Sequence, residues 1–206
     1  MTTPVLVLAS HNLGKVEEFE AGLADLGVKL MSLADFPDCP EIEEDGDTFA
    51  DNALKKARTA FAFTGYPSLA DDSGLEVAAL GGEPGVHSHR FAGPECNDAA
   101  NNRLLIKKLQ GLPPEQRRAQ FRTVLALVLG PDKEFTVEGI CHGIIRDIPQ
   151  GSGGFGYDPH FYFPEFDRTM AQLTVDEKNS VSHRGRAIKK LHCLLLREMV
   201  EKSAVR

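Results

Sequence analysis

An unbroken apolar run, Pro4 to Ala9 (PVLVLA), leads straight into a polar turn and then into apolar residues at Val16, Phe19, Leu23 and Leu26. A run that short and that continuous is the pattern of a strand covered on both faces of a sheet, and the spacing after it is helical. Strand, turn, helix opens an α/β unit, and the rest of the chain must supply both more sheet and the layers that cover it. Gly27 is placed to cap the helix, and Val28 to Leu33 fits a second strand. Phe49, Ala53, Ala57 and Ala60 share a second helical face, with Asp47 or Thr48 at its start and Gly65 at its end. Leu69 and Ala70 form a stub of strand. The Gly/Pro-rich stretch from Gly81 to Gly93 reads as ordered loop. A third helix, capped by Asn97 or Asp98, runs through Leu104, Leu105 and Leu109 to Gly111.

Past the turn at residues 112–117 the period changes to two. Ala119, Phe121, Thr123, Leu125, Leu127 and Leu129 alternate with polar or smaller neighbours, as in a long half-buried strand. Gly130 to Lys133 reads as a hairpin turn into a strand through Phe135, Val137 and Ile145, with Gly139 and Gly143 as bulge points. A glycine-rich loop follows at Gly151 to Gly156. The end, from Ser182 to Lys202, is helical, with Ile188, Leu191, Leu195 and Met199 on one stripe. The 206 residues fit one α/β domain with two lobes better than two domains, because residues 112–117 are too few to form a linker. A chain of this length buries about 70% of its unfolded surface and needs no staples.

Charge and cysteines narrow the function. A net charge of −7 argues against a nucleic-acid polymer as partner. A small anion needs only a local cluster of cations. Cys39, Cys96, Cys141 and Cys193 form no CxxC pair. The start lacks a basic n-region, and no apolar stretch is long enough to span a membrane. A cytoplasmic protein with reduced thiols is expected.

Four segments carry candidate chemistry. Ser10-His11-Asn12-Leu13-Gly14-Lys15 lies where a strand turns into a helix, so free N–H groups, the helix dipole and Lys15 can grip an anion. An ordinary capped helix with a solvated lysine fits equally, and the Walker A spacing is missing. Asp71-Asp72-Ser73-Gly74 offers a carboxylate that suits Mg²⁺ when phosphates supply the remaining ligands; an Asx-turn is the alternative. The acidic run Glu41, Glu43, Glu44, Asp45, Asp47 can add a ligand or simply be a solvated face. Gly151 to Asp158 allows close backbone approach, with Phe155 and Tyr157 as stacking surfaces or as core residues. Lys178, His183 and Arg184 bring positive charge to the start of the last helix, against its dipole. His87 and His89 have no third ligand nearby for zinc.

Taken in order, SHNLGK, EEDGDTFADNALKKA, ADDSGLEVAALGGEPGVHSHRFAG, GSGGFGYDPHF and KNSVSHRGRA resemble the inosine/xanthosine triphosphate pyrophosphatase family over nearly the whole chain, in its bacterial branch. The resemblance implies an elongated mixed β-sheet flanked by helices, in two lobes with a central cleft that holds the site. It implies a homodimeric, Mg²⁺-dependent hydrolase that converts ITP, dITP or XTP to the monophosphate and pyrophosphate. By position, Ser10, His11, Asn12, Leu13, Gly14 and Lys15 match the phosphate-gripping loop and Lys56 a further phosphate-binding lysine. Asp72 matches the catalytic carboxylate and metal ligand, and Ser73 a substrate contact. Phe155, Gly156, Tyr157, Asp158, Lys178, His183 and Arg184 match the base-reading set. Glu43 is the best match for the second metal ligand, with Glu41 and Glu44 as alternatives because the run can slip in register.

Two departures stand out. His89 replaces a smaller residue after the Pro-Gly loop, and His11 stands where many members carry Gly. The latter is tolerable if His11 has an ordinary backbone conformation. Two other functions compete: a pyrophosphatase for modified pyrimidine or methylated nucleotides, as in the related septum-inhibitor family, and a nucleotide sensor without turnover. The paired aspartates argue against the sensor, since a pure phosphate binder gains nothing from carboxylates without a metal.

Overall fold

The computed structural model describes residues 3–204, with side chains through residue 200. Seven strands form one mixed sheet in the order β2-β1-β3-β4-β5-β6-β7. These are β1 Val5–Leu8, β2 Lys29–Ser32, β3 Ser68–Val77, β4 Arg118–Gly130, β5 Lys133–Ile145, β6 Phe161–Phe163 and β7 Arg168–Thr169. The helices are α1 Leu13–Leu23, α2 Phe49–Thr64, α3 Asp98–Lys108, α4 Val175–Val181 and α5 His183–Ala204. β1 runs parallel to both β2 and β3, whereas β6 is antiparallel to β5 and β7.

The chain divides into two compact units. The first takes the residues up to Asp72, Thr123–Gly139 and those from Arg184 on; the second takes Ser73–Arg122 and Ile140–His183. Each has its own core. In the first unit Leu6, Leu8, Phe19, Leu69, Leu125, Leu127 and Ile188 pack together. In the second, Leu75, Leu105, Phe121, Ile145, Tyr157 and Phe161 do so.

Helix boundaries follow the capping chemistry. The Asn12 side chain accepts from the Lys15 N–H and opens α1, and Thr48 does the same for α2 through Asp51. α1 ends earlier than its apolar spacing suggests, at Leu23. A 3-10 turn over Ala24–Leu26 then carries the chain to Gly27, whose φ of 63° closes it.

Three expectations about strands change. β3 is no stub: it continues through Asp71-Asp72-Ser73-Gly74 to Val77, so these residues form extended backbone rather than a turn. β4 alternates only as far as Arg122. From Thr123 to Val128 every residue is buried, because this stretch is covered on both faces. β5 runs unbroken past Gly139 and Gly143. Gly143 has a packing role instead, since a Cβ there would meet the Phe161 ring at 2.6 Å.

Candidate active site

The extended course of β3 sorts its two aspartates. Neighbouring side chains on a strand point to opposite faces, so Asp71 and Asp72 acquire different partners. Asp71 is 2% exposed and receives the Arg184 Nε at 3.0 Å, the Thr123 hydroxyl at 2.7 Å and the Lys15 ammonium. Burial opposes its charge, yet Arg184 and Lys15 together hold its carboxyl well below the usual range. Arg184, 1% exposed, also donates to Glu18 at 2.8 Å. Its guanidinium therefore braces Asp71 and Glu18 from within the core of the first unit.

Asp72 has a different set of partners. The Asn52 amide donates to its Oδ2 at 3.0 Å, and Lys56 Nζ lies 3.4 Å from its Oδ1. The same ammonium donates to the Asp71 carbonyl at 2.7 Å and to Glu44 at 2.5 Å. Burial raises the Asp72 pKa, and the Glu44 charge adds to the rise; Lys56 and Lys15 offset only part of it. The Lys56 pKa is raised as well: burial works against its charge, but Asp72 and Glu44 prevail. Asn52 and Lys56 share a face of α2 because they are four residues apart. Asn52 was not among the expected residues, although its offset from Lys56 in DNALKKA placed it on that face.

In the acidic run Glu43, the sequence match, and Glu41 are exposed, whereas Glu44 is half-buried and meets Lys56. The Gly46 N–H donates to the Asn52 Oδ1 at 2.7 Å and holds the run against α2. Among the described residues no group of three or more His, Cys, Asp and Glu side chains is gathered to hold a metal. The donor set still fits Mg²⁺, which takes hard oxygen ligands and needs few from the protein when phosphates complete its shell. Two carboxylates, Asp72 and Glu44, converge on one ammonium, and burial is the main reason the Asp72 pKa is raised.

The first loop is built for anions. Ser10 Oγ accepts from the Asn12 N–H, Leu13 begins α1, and His11, Asn12 and Leu13 are exposed. Gly14 lies in the first turn of the helix. Lys15 loses basicity to burial, while Asp71 restores part of it. His11 has an ordinary backbone, because Cys96 and Asp167 are the described non-glycine residues at positive φ.

The second unit holds the other candidates. Asp158 Oδ2 accepts from Lys178 Nζ at 2.9 Å and from the Phe155 N–H at 3.1 Å, and the same ammonium lies 4.6 Å from the centre of the Phe155 ring. Lys178 comes from α4, a helix absent from the sequence reading, capped by Thr174 with Glu177 in a capping box. Tyr157 does not provide a second stacking surface. It is 4% exposed in the core, its hydroxyl donates to the Ser88 carbonyl at 2.8 Å, and Phe155 remains as the half-buried aromatic. His183 is likewise buried, stacked on Phe121 at 4.8 Å. Ser73 is half-buried on β3. His89 is exposed, so solvent takes its bulk and the loop packing is undisturbed.

The sequence model of the Ham1 family matches residues 6–193. The dITP/XTP pyrophosphatase of Desulforamulus reducens is 52% identical over 185 residues, which are 90% of this chain and 92% of that one. The protein of the same name from Geobacter sulfurreducens is 53% identical over 183 residues, 89% and 92% of the two chains. Among solved structures, the Staphylococcus aureus Ham1 protein superposes with a TM-score of 0.83 at 40% identity, covering 94% of this chain and 99% of that one. A HAM1 protein from Coxiella burnetii gives 0.86 at 42% identity, covering 95% and 100%.

Proposed function

From the premise that the chain belongs to the Ham1 family, we propose that it is a Mg²⁺-dependent pyrophosphatase for aberrant purine nucleoside triphosphates. It takes ITP, dITP or XTP to the monophosphate and pyrophosphate, and it acts in the cytoplasm as a homodimer of single two-lobed domains. The observation that carries the reading is the split between the two aspartates of β3: Asp71 is fixed in an ion-pair network with Arg184 and Lys15, while Asp72 is buried beside Asn52 and shares Lys56 with a second carboxylate, Glu44. A plain phosphate binder has no use for that arrangement.

The two units carry different candidate groups. In the first, the loop from Ser10 to Gly14, where the N–H groups of Ser10 and Asn12 are already bonded to the Leu8 carbonyl and the Ser10 hydroxyl, and the ammonium groups of Lys15 and Lys56 are offered to the charge of a triphosphate. Asp72, with Glu44 beside it or Glu43 from the same run, would hold Mg²⁺, which when bound would supply charge neutralisation at the phosphate oxygens. Asp72 would also accept the proton of the attacking water on a carboxylate oxygen. Asn52 orients this carboxylate through its bond to Oδ2. Arg184 and Glu18 keep Asp71 and Lys15 in place behind the phosphate loop.

In the second unit Phe155 offers a face for the purine, with Asp158 and Lys178 beside it. A donor such as the Lys178 ammonium suits the 6-keto oxygen of hypoxanthine and is left facing a 6-amino group in adenine. Each buried group so mismatched costs about 1–3 kcal/mol. Ser73 serves as a further substrate contact. Pyrophosphate release from ITP with Mg²⁺, and none with EDTA, is the expected result. Binding of ITP with no turnover in either condition would instead identify a sensor.

A further inference from the structure

Both backbone polar groups of Gly156, in the loop assigned to the purine, are held by side chains of α3. The Gly156 N–H donates to Asp98 Oδ2 at 2.8 Å, and the Gly156 carbonyl accepts from the Asn102 Nδ2 at 2.9 Å. Asp98 and Asn102 are four residues apart and so lie on one face of the helix. The pair is itself tied, because the Asn102 Nδ2 also donates to the Asp98 carbonyl at 3.0 Å. These two acceptors leave the Asn102 Oδ1 buried without a hydrogen bond, a cost the loop contact has to offset. Asn97 caps α3 through the Ala100 N–H, which leaves the Asp98 carboxylate available for the loop.

Gly156 sits at φ 62° between Phe155 and Tyr157, so the orientation of its peptide sets the direction of the Phe155 ring. The loop has short bonds of its own, from Phe155 N–H to Asp158 Oδ2 and from Asp158 N–H to the Phe155 carbonyl. Neither reaches the Gly156 N–H or carbonyl. The loop is tied elsewhere to Ser88 through the Tyr157 hydroxyl, to Lys178 through Asp158 and to Ala171 through Gly153 and Asp158, and the α3 clamp adds the two bonds that fix the Gly156 peptide itself.

We propose that Asp98 and Asn102 are specificity-determining positioning residues, which hold the Phe155 face in register for a 6-keto purine. The proposal rests on the reading that this loop takes the base. It predicts that Asp98→Ala raises KM for ITP about tenfold, the size of one lost charge-assisted hydrogen bond. The kcat stays within about twofold because the clamp holds the loop assigned to the base and bonds to no group assigned to the phosphates. ATP, which gains little from the aligned loop, keeps its kcat/KM, so the ITP-to-ATP ratio falls by the same factor. Asp98→Asn retains an oxygen that accepts from Gly156 and restores most of the ratio. Asn102→Ala, tested separately, lowers the ratio in the same direction. Hydrogen exchange at the Gly156 amide accelerates in Asp98→Ala and returns in Asp98→Asn. If ITP and ATP lose activity together, or if Gly156 exchange quickens while the ratio stays fixed, the clamp is structural and the proposal is overturned. A parent protein that releases no pyrophosphate from ITP overturns the functional reading and this inference with it. An active parent whose variants keep the parental ratio overturns this inference alone.

Discussion

Two adjacent aspartates on one strand take different partners, and on the proposed function substitutions can read stability at one and catalysis at the other. Asp71 balances two buried cations, so Asp71→Asn leaves Arg184 and Lys15 short of charge in the core. Removing one partner from a buried ion pair costs about 3–5 kcal/mol. Urea denaturation of Asp71→Asn should show a loss of that order, and a loss under 1 kcal/mol would contradict the network's role. Asp72→Asn removes the proton acceptor but keeps a side chain of the same shape beside Asn52 and Lys56. Its kcat for ITP should fall by roughly 10²-fold or more, the size of a general-base contribution, with a much smaller effect on stability. Turnover near the parental rate would remove Asp72 from the mechanism. A third contrast lies between Glu44 and Glu43. Glu44→Gln should raise the Mg²⁺ concentration needed for half-maximal rate about tenfold, about one charge-assisted contact, whereas Glu43→Gln should leave it unchanged. Equal responses would return the choice to the register of the sequence match.

Elements were legible in proportion to how far local signals decide them. α2 and α3 carry both a cap and an apolar period, and their starts were readable to within a residue from Asp47 or Thr48 and from Asn97 or Asp98; α1 showed its period, and its cap, Asn12, is seen in the structure. β3 was not, because Asp-Asp-Ser-Gly has turn chemistry locally. Arg184, Lys15, Lys56 and Thr123, from other parts of the first unit, overrule it by compensating two buried carboxylates. β6, β7 and α4 are too short to show a period, with 3, 2 and 7 residues. Tyr157 and His183 were recognisable as residues that matter, but burial is a tertiary property and nothing in the spacing showed them to be inside.

The glycine-rich loop is the exception, since its composition stated a geometric need. Gly154 sits at φ 72°, and a Cβ there would come within 2.1 Å of Asp158 Oδ2. Gly154→Ala therefore strains the backbone and pushes the carboxylate off Lys178 and the Phe155 N–H. KM for ITP should rise by about tenfold or more, the loss of at least one charge-assisted bond, while kcat changes little. Steady-state kinetics check this, and an unchanged KM would detach Asp158 from base recognition.

At the scale of the whole molecule the net charge of −7 becomes informative when the cations at the candidate sites are matched with their partners. Lys15 meets Asp71, Lys56 meets Glu44 and Asp72, Lys178 meets Asp158, and Arg184 meets Glu18 and Asp71. Each positive group that the sequence offered to a nucleotide is thus already neutralised by a carboxylate. On the proposed function a free triphosphate meets these compensated cations at close range, and its oxygens would approach Asp72 and Glu44 as well as the lysines. Binding would then require a divalent cation to reverse the sign of that corner, so that Mg²⁺ would contribute to affinity as well as to chemistry. Calorimetric titration with a non-hydrolysable ITP analogue should show at least a tenfold weaker Kd in EDTA than in Mg²⁺, about 1.4 kcal/mol. Lys56→Gln should weaken the Mg²⁺ complex too, since it frees two carboxylates to repel the phosphates. Equal affinity with and without the metal would mean that the lysines and the start of α1 bind the triphosphate despite their paired carboxylates. In that case the acidic corner would have to be explained by catalysis alone.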